Sequence, residues 1–265
     1  MQLRKYRLRL NRLSHILISH LHADHTLGIF GLLSTLNLLG RTAELHIFAH
    51  QELEALLHTN LNFFAHDIGY PIRFHAIPPK KHVTLFESKR ISVEAFPLKH
   101  RIPASGFTVR EKEAVPNIRK EMIERYSIPI AQVQGIKFGA DFTTPDGQVI
   151  PNAHLTFKAH RSRSYAFCSD TSYHEPIASW VSGVDVLYHE ATFGSNLADL
   201  AERTGHSTAR QAAQIAQRAG VGKLIIGHFS ARYKNPNVLL SEAREVFPNT
   251  YLANDGDRHS IDHTP

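Results

Sequence analysis

In the segment His20-Leu21-His22-Ala23-Asp24-His25, three imidazoles and one carboxylate occupy six residues directly after an apolar run. Ser14 to Ser19 reads as a buried strand, and Leu27 to Leu39 reads as a helix closing near Gly40. The polar side chains are therefore expected on the turn between them. Imidazole nitrogen and carboxylate oxygen suit zinc and similar divalent ions, and a catalytic site needs several such ligands plus an open position for water. The turn can aim His20 and His22 at one ion while Asp24 and His25 face another. Two ions roughly 3.5 to 4 Å apart are the usual apparatus for phosphodiester hydrolysis. Histidine is abundant here, at 19 of 265 residues, so clustering alone is weak evidence and further ligands are needed.

Strand endings supply them. Arg90 to Leu98 runs into His100, Ser164 to Ser169 runs into Asp170, Val184 to Tyr188 ends at His189-Glu190, and Lys223 to Gly227 ends at His228. In α/β folds, functional residues collect where strands terminate. Glu44 to Ala49 also ends in a histidine, His50, which reads as an ordinary surface or capping residue. His206 precedes Ser207 and Thr208, which are placed to cap a helix from Ala209 to Ala219 before Gly220. His189, Asp185 and His174 read as structural.

Length and an apolar content of 42% are compatible with one large domain and a buried core. No apolar stretch approaches the roughly 20 residues needed to span a bilayer, and the basic, polar N-terminus lacks a secretory signal's apolar centre. The expected compartment is the cytoplasm. The single cysteine, Cys168, reads as a buried thiol inside a strand. Net charge is +6, which favours an acidic partner such as nucleic acid. Met1 to Arg12 holds five basic residues and no acidic one. Lys158, His160, Arg161 and Arg163 form a second basic cluster. Both are candidate phosphate contacts, and both can equally be solvated faces.

The His20 to His25 motif, His100, Ser169-Asp170-Thr171, His189-Glu190-Ala191-Thr192, His206-Ser207-Thr208 and His228-Phe229-Ser230-Ala231-Arg232-Tyr233 occur in the order found in ribonuclease Z. The chain resembles that family, the tRNA 3′-processing endonucleases of the metallo-β-lactamase fold, from about Met1 to about Asp255. The first motif alone marks only the superfamily, whereas the two segments at His189 and His228 point to the RNA-processing branch. The resemblance implies two zinc ions per subunit, one held by His20, His22 and His100, the other by Asp24, His25 and His228, with Asp170 bridging. It implies a water activated between the metals that attacks the scissile phosphorus. Asp24 resembles a proton acceptor as well as a ligand, and Glu190 and His206 resemble the pair that protonates the leaving oxygen. Glu190 can also be read as an orienter of a neighbouring group. Arg232 is well placed for a phosphate or for a surface turn. The products implied are a 3′-hydroxyl on the tRNA and a 5′-phosphate on the trailer.

The fold implied is an α/β class αβ/βα four-layer sandwich over residues 1–265. Residues 111–152, polar and broken by Pro116, Pro129, Gly135, Gly139, Pro145 and Gly147, form an insertion with one short helix at Ile118 to Arg125. The same place in the family holds an arm that grips tRNA. Ser127-Ile128-Pro129-Ile130-Ala131 stands where the family's glycine-proline signature is expected. Only 19 residues precede His20, where the family carries further opening strands. The expectation is a sandwich lacking its usual first strands: a fragment, a start assigned too late, or a fold that pairs with another copy. The family's short form is a homodimer in which one subunit's arm serves the other's site.

Precursor tRNA is thus the expected partner and no membrane is expected. Two other functions fit the same residues. One is a metallohydrolase of this fold acting on a small phosphodiester, sulfate ester or thioester. The other is a metal- or RNA-binding remnant without catalysis.

Overall fold

A computed structural model describes residues 2–64, 68–158 and 161–262. His160 of the second basic cluster and Met1 of the first lie outside the described residues. The chain divides into two compact units, the first comprising 1–87, 92–109 and 164–259, the second 88–91, 110–163 and 260–265.

The first unit opens with a helical turn, α1 (Gln2–Lys5), and a short 3-10 turn at Leu10–Arg12. β1 (His15–Leu17) follows, then α2 (Ala23–Leu38), β2 (Leu45–Ala49), α3 (Glu52–Phe64) and β3 (Ile72–Ala76). β1, β2 and β3 form a parallel three-stranded sheet. α2 starts four residues earlier than its apolar pattern suggests, because His22 takes the N-cap and Asp24 sits in the first turn. A carboxylate there is favoured by the unpaired N–H groups and the positive end of the helix dipole. Asp24 and His25 consequently ride on a helix, not on the turn expected for them. Leu33 and Leu36 of α2 and Leu53 and Leu57 of α3 pack on Leu45 and Ile47 of the sheet.

β4 (Val83–Glu87), β5 (Ile91–Leu98) and β6 (Ala104–Glu111) begin the larger sheet. The chain then enters the second unit, where β7 (Asn117–Ile118), α4 (Lys120–Tyr126), α5 (Ile130–Lys137), β8 (Phe142–Thr143), β9 (Val149–Ile150), α6 (Asn152–Leu155) and β10 (Thr156–Phe157) follow one another closely. This unit has its own core of Ile128, Ile136, Phe142, Ile150 and Leu155. Among the described residues α4 and α5 lie within 111–152 and α6 begins at Asn152, where the sequence suggested one helix. The unit's strands are two residues long and its apolar positions are spaced by turns, so neither periodicity can register. The proposed basic cluster is largely neutralised within the unit: Arg163 pairs with Glu111 at 2.6 Å and Lys158 with Glu113 at 3.1 Å.

The first unit resumes with β11 (Ser164–Cys168), α7 (Ile177–Trp180), β12 (Val186–Glu190), α8 (Ala198–Thr204), α9 (Ala209–Ala219), β13 (Lys223–Gly227), α10 (Asn237–Arg244) and β14 (Thr250–Leu252). The large sheet runs β14-β13-β12-β11-β6-β5-β4, with β11 to β14 parallel. α9 buries Ala209, Ala212, Ala213, Ile215 and Ala216 against it. A capping box, Thr208 with Gln211, starts this helix and left-handed Gly220 ends it; such an N-cap is worth about 1 kcal/mol. Phe48 and Leu17 of the small sheet meet Ala95, Phe107 and Phe86 of the large one. The layers are thus helices, sheet, sheet and helices, the αβ/βα order expected. Cys168 is fully buried with no partner cysteine in the sequence.

Candidate metal centre

Parallel β11, β12 and β13 lie side by side, so residues at their C-terminal ends converge on one edge. Asp170 follows β11, Glu190 closes β12, and His228 follows β13. His20, just after β1, bridges to Ala104 at the start of β6, and His100 follows β5. These placements bring six imidazoles into a closed ring. Successive ring centroids are 4.8 Å for His20 and His22, 4.9 Å for His22 and His100, and 5.4 Å for His100 and His206. The circuit continues at 5.4 Å from His206 to His228, 5.9 Å from His228 to His25, and 4.1 Å from His25 to His20.

Asp170, 4% exposed, lies against this ring, with oxygens 3.8 Å from His20 Nε2, 3.8 Å from His25 Nε2 and 3.5 Å from His228 Nε2. Burial raises its pKa, but the imidazoles of His228, His25, His20 and His206 outweigh that and hold it below the ordinary carboxylate value. At His20 burial acts in the other direction and, with repulsion from His25 added, lowers the pKa to about 3. His100 is lowered too, chiefly by burial. Neutral imidazoles are what a cation requires as ligands.

The donor set fits metal. His22 Nδ1 is 3.1 Å from His20 Nε2 and 3.3 Å from His100 Nε2, a convergence of three nitrogens that a shared cation satisfies. Ligand atoms of His20, His22, His100 and Asp170 all lie within 4.8 Å of one another, as do those of Asp24, His25 and His228. A third grouping joins Asp170, His206 and His228. The structure therefore brings together all seven residues singled out as ligands.

Two of these imidazoles also have their outward nitrogens engaged. His100 Nδ1–H donates to the Gly205 carbonyl at 2.8 Å, leaving Nε2 as the inward lone pair. His228 Nδ1–H donates to Thr192 Oγ1 at 2.9 Å, with the same result. His228 itself has φ of +60°, a left-handed backbone uncommon for a side-chain-bearing residue, and strain of this kind collects at functional sites.

Glu190 is completely buried. Its Oε1 accepts from Thr171 N–H at 3.1 Å, Ser207 N–H at 3.0 Å and His206 Nδ1–H at 2.9 Å. Its Oε2 accepts from Thr192 N–H at 2.9 Å and Thr192 Oγ1–H at 2.7 Å. Burial works against a charged His206, but this hydrogen bond and the Glu190 charge prevail and raise its pKa. Gly205 has no signal in the sequence, and Thr192, although part of the His189–Thr192 motif, has no role assigned to it there. Thr192 had a signal, since residues two apart in an extended segment share a face and Glu190 stands two before it. His50 is corrected: it is 2% exposed, with Nδ1 lacking a partner among the described residues and Nε2 3.4 Å from Ser105 Oγ. Asp185 accepts from the Ser164 backbone and hydroxyl, a structural link. Arg232 lies over Phe193, and the Gly194 N–H donates to Tyr233 Oη.

Residues 1–116 match the family model described as beta-lactamase superfamily domain. Ribonuclease Z of Bacteroides fragilis is 49% identical over 253 residues, covering 96% of this chain and 83% of the relative. Ribonuclease Z of Phocaeicola vulgatus is 47% identical over 262 residues, covering 99% and 85%. The chain belongs to the ribonuclease Z family. Among solved structures, human tRNase Z, short form, superposes with a TM-score of 0.67 at 22% identity, covering 98% of this chain and 83% of that one. A metallo-beta-lactamase fold protein from Bacillus subtilis gives 0.60 at 16%, covering 94% and 78%. These two likenesses concern the fold, and the four layers described above are the metallo-β-lactamase arrangement of ribonuclease Z.

Proposed function

We propose that this chain is a metal-dependent endoribonuclease that removes the 3′ trailer from precursor tRNA. The observation that carries the reading is the ring of six imidazoles about Asp170 in a chain nearly half identical to ribonuclease Z. His20, His22 and His100 would hold one zinc, Asp24, His25 and His228 the other, and Asp170 would touch both. Such a pair of ions lowers the pKa of a bound water and neutralises charge on a phosphoryl group.

The protein's own groups then divide the remaining work. Asp24, with a side chain 73% exposed and 3.4 Å from His25 Nε2, is open to solvent and able to accept a proton from an attacking water. His206, with Nδ1–H held by Glu190, keeps its ring fixed and its Nε2 available to give a proton to the leaving 3′ oxygen of the tRNA. Glu190, satisfied by five donors, acts by orienting and charging His206. The expected products are a 3′-hydroxyl and a 5′-phosphate.

Residues 111–152 lie in the second compact unit, and we assign them the role of a tRNA-binding arm. Arg125 over Tyr126 within it, and Arg119 over the nearby Phe157, are partly exposed cation–aromatic pairs of the kind that bases and phosphates recognise. A homodimer and a cytoplasmic location belong to the same reading; among the described residues no helix is long and apolar enough to cross a membrane.

Incubation of a 3′-extended precursor tRNA with the zinc-loaded chain and with Asp24→Ala tests the proposal. A cut just beyond the discriminator base that depends on Asp24 supports it. Turnover of small esters without any cut in the tRNA would replace it with the small-substrate hydrolase.

A further inference from the structure

Arg101 follows His100 directly and is exposed. Its Nη2 donates to the Arg203 carbonyl at 3.0 Å, in the last turn of α8. Gly205, with φ of +79°, closes that helix, and a Cβ there would lie 2.7 Å from His100 Nδ1 and 3.5 Å from Arg101 Cγ. Both side chains therefore run along the same helix cap, and the Arg101 charge reaches His206.

Several cations elsewhere in the first unit are neutralised by carboxylates. Lys99 pairs with Glu202 at 3.4 Å, Arg210 pairs with Glu245, and Arg218 pairs with Glu175. Among the described residues no carboxylate pairs with Arg101. Its hydrogen-bond partner among the described residues is a neutral carbonyl, which aims the guanidinium without cancelling its charge. A planar fork with donors to spare, held at the rim of a metal centre, matches a phosphate. Metals held by this ligand set would engage the phosphate that is cut, and a bound RNA strand would bring its neighbouring phosphates to the rim.

We propose that Arg101 binds a phosphate of the RNA strand flanking the scissile one. This rests on the nuclease reading above. Arg101 is then a substrate-positioning residue that shapes KM more than kcat.

The test compares the zinc-loaded wild type with Arg101→Gln and Arg101→Lys on a 3′-extended precursor tRNA across a salt series. Loss of a charged hydrogen-bond partner is expected to raise KM roughly tenfold in Arg101→Gln, with kcat nearly retained. The slope of log(kcat/KM) against log[salt] should fall in magnitude by about 0.7, the value for one single-strand phosphate contact. Arg101→Lys keeps the charge and should restore that slope. A merely structural tether to Arg203 would lower the melting temperature and kcat and leave the slope alone, which overturns the inference. An unchanged slope in a cleaving Arg101→Gln overturns it alone, whereas absence of cleavage by wild type overturns the nuclease reading and this inference with it.

Discussion

His206 Nδ1 lies 2.9 Å from Glu190 Oε1, and that carboxylate, wholly buried, is shared with the backbone N–H groups of Thr171 and Ser207. The arrangement ties the loop after β11, the end of β12 and the start of α9 to a single side chain. Removing one acceptor oxygen should therefore be felt in both chemistry and stability.

Glu190→Gln replaces an acceptor by an amide that must turn a donor toward groups that are themselves donors. The expected loss is about 1 to 3 kcal/mol of stability for the buried unsatisfied groups, and roughly 10² in kcat as His206 loses its orientation. His206→Ala should lower kcat comparably while zinc content, measured by atomic emission, stays near wild type. Zinc loss in His206→Ala would make it a ligand and remove its assigned role.

Gly205 carries the carbonyl that fixes His100, in a left-handed conformation. Gly205→Ala adds strain there and pushes a methyl against the His100 ring. Zinc affinity should fall by roughly 10 to 100-fold, the usual effect of disturbing a partner of a metal-bound histidine. Competition with a chromogenic chelator measures it, and unaltered affinity would show that the carbonyl contact is dispensable.

The pKa shifts fix the sign of a pH effect in the metal-free protein. His20 is lowered from 6.5 to about 3, and His100 is lowered as well, so the unfolded chain binds protons that the folded one excludes. Stability from these two groups is therefore fully present above about 6.5 and lost as pH falls toward about 3, while the raised pKa of His206 acts the other way and offsets part of that loss. Urea unfolding of the chelated protein at pH 7.5 and pH 5.5 should give a lower midpoint at the acid value. A higher midpoint there would contradict neutral, desolvated imidazoles.

Leu155 is fully buried in the small core of the second unit. Leu155→Ala should cost about 2 to 5 kcal/mol locally. If residues 111–152 bind tRNA, KM for precursor tRNA should rise with little change in the rate at saturation. A kcat defect with normal KM would place the unit's contribution elsewhere.

Much of the clustering at this candidate site could be read from residue order, because imidazoles and carboxylates at strand ends announce themselves by type and position. The strand Lys223–Gly227 and the helix Ala209–Ala219 stand where their patterns place them, since a short apolar run and a strongly amphipathic stretch leave little ambiguity. Asp24 and His25 were expected on a turn because helix initiation here depends on His22 as N-cap, without the hydroxyl or amide that usually signals one. His50 was misplaced because burial between two sheets is a tertiary fact. Arg101 has no local signature at all: its meaning comes from the absence of a paired carboxylate among the described residues and from a carbonyl 102 residues away.

The most direct measurement is a zinc titration of chelator-stripped protein acting on a 3′-extended precursor tRNA, with the ends of both products mapped. Activity should be absent without metal and reach its plateau at about two equivalents per chain, yielding a 3′-hydroxyl on the tRNA and a 5′-phosphate on the trailer. Cleavage that persists without metal, or a tRNA ending in a 2′,3′-cyclic phosphate, would mean attack by the RNA's own 2′-hydroxyl and would contradict a water-using metal centre.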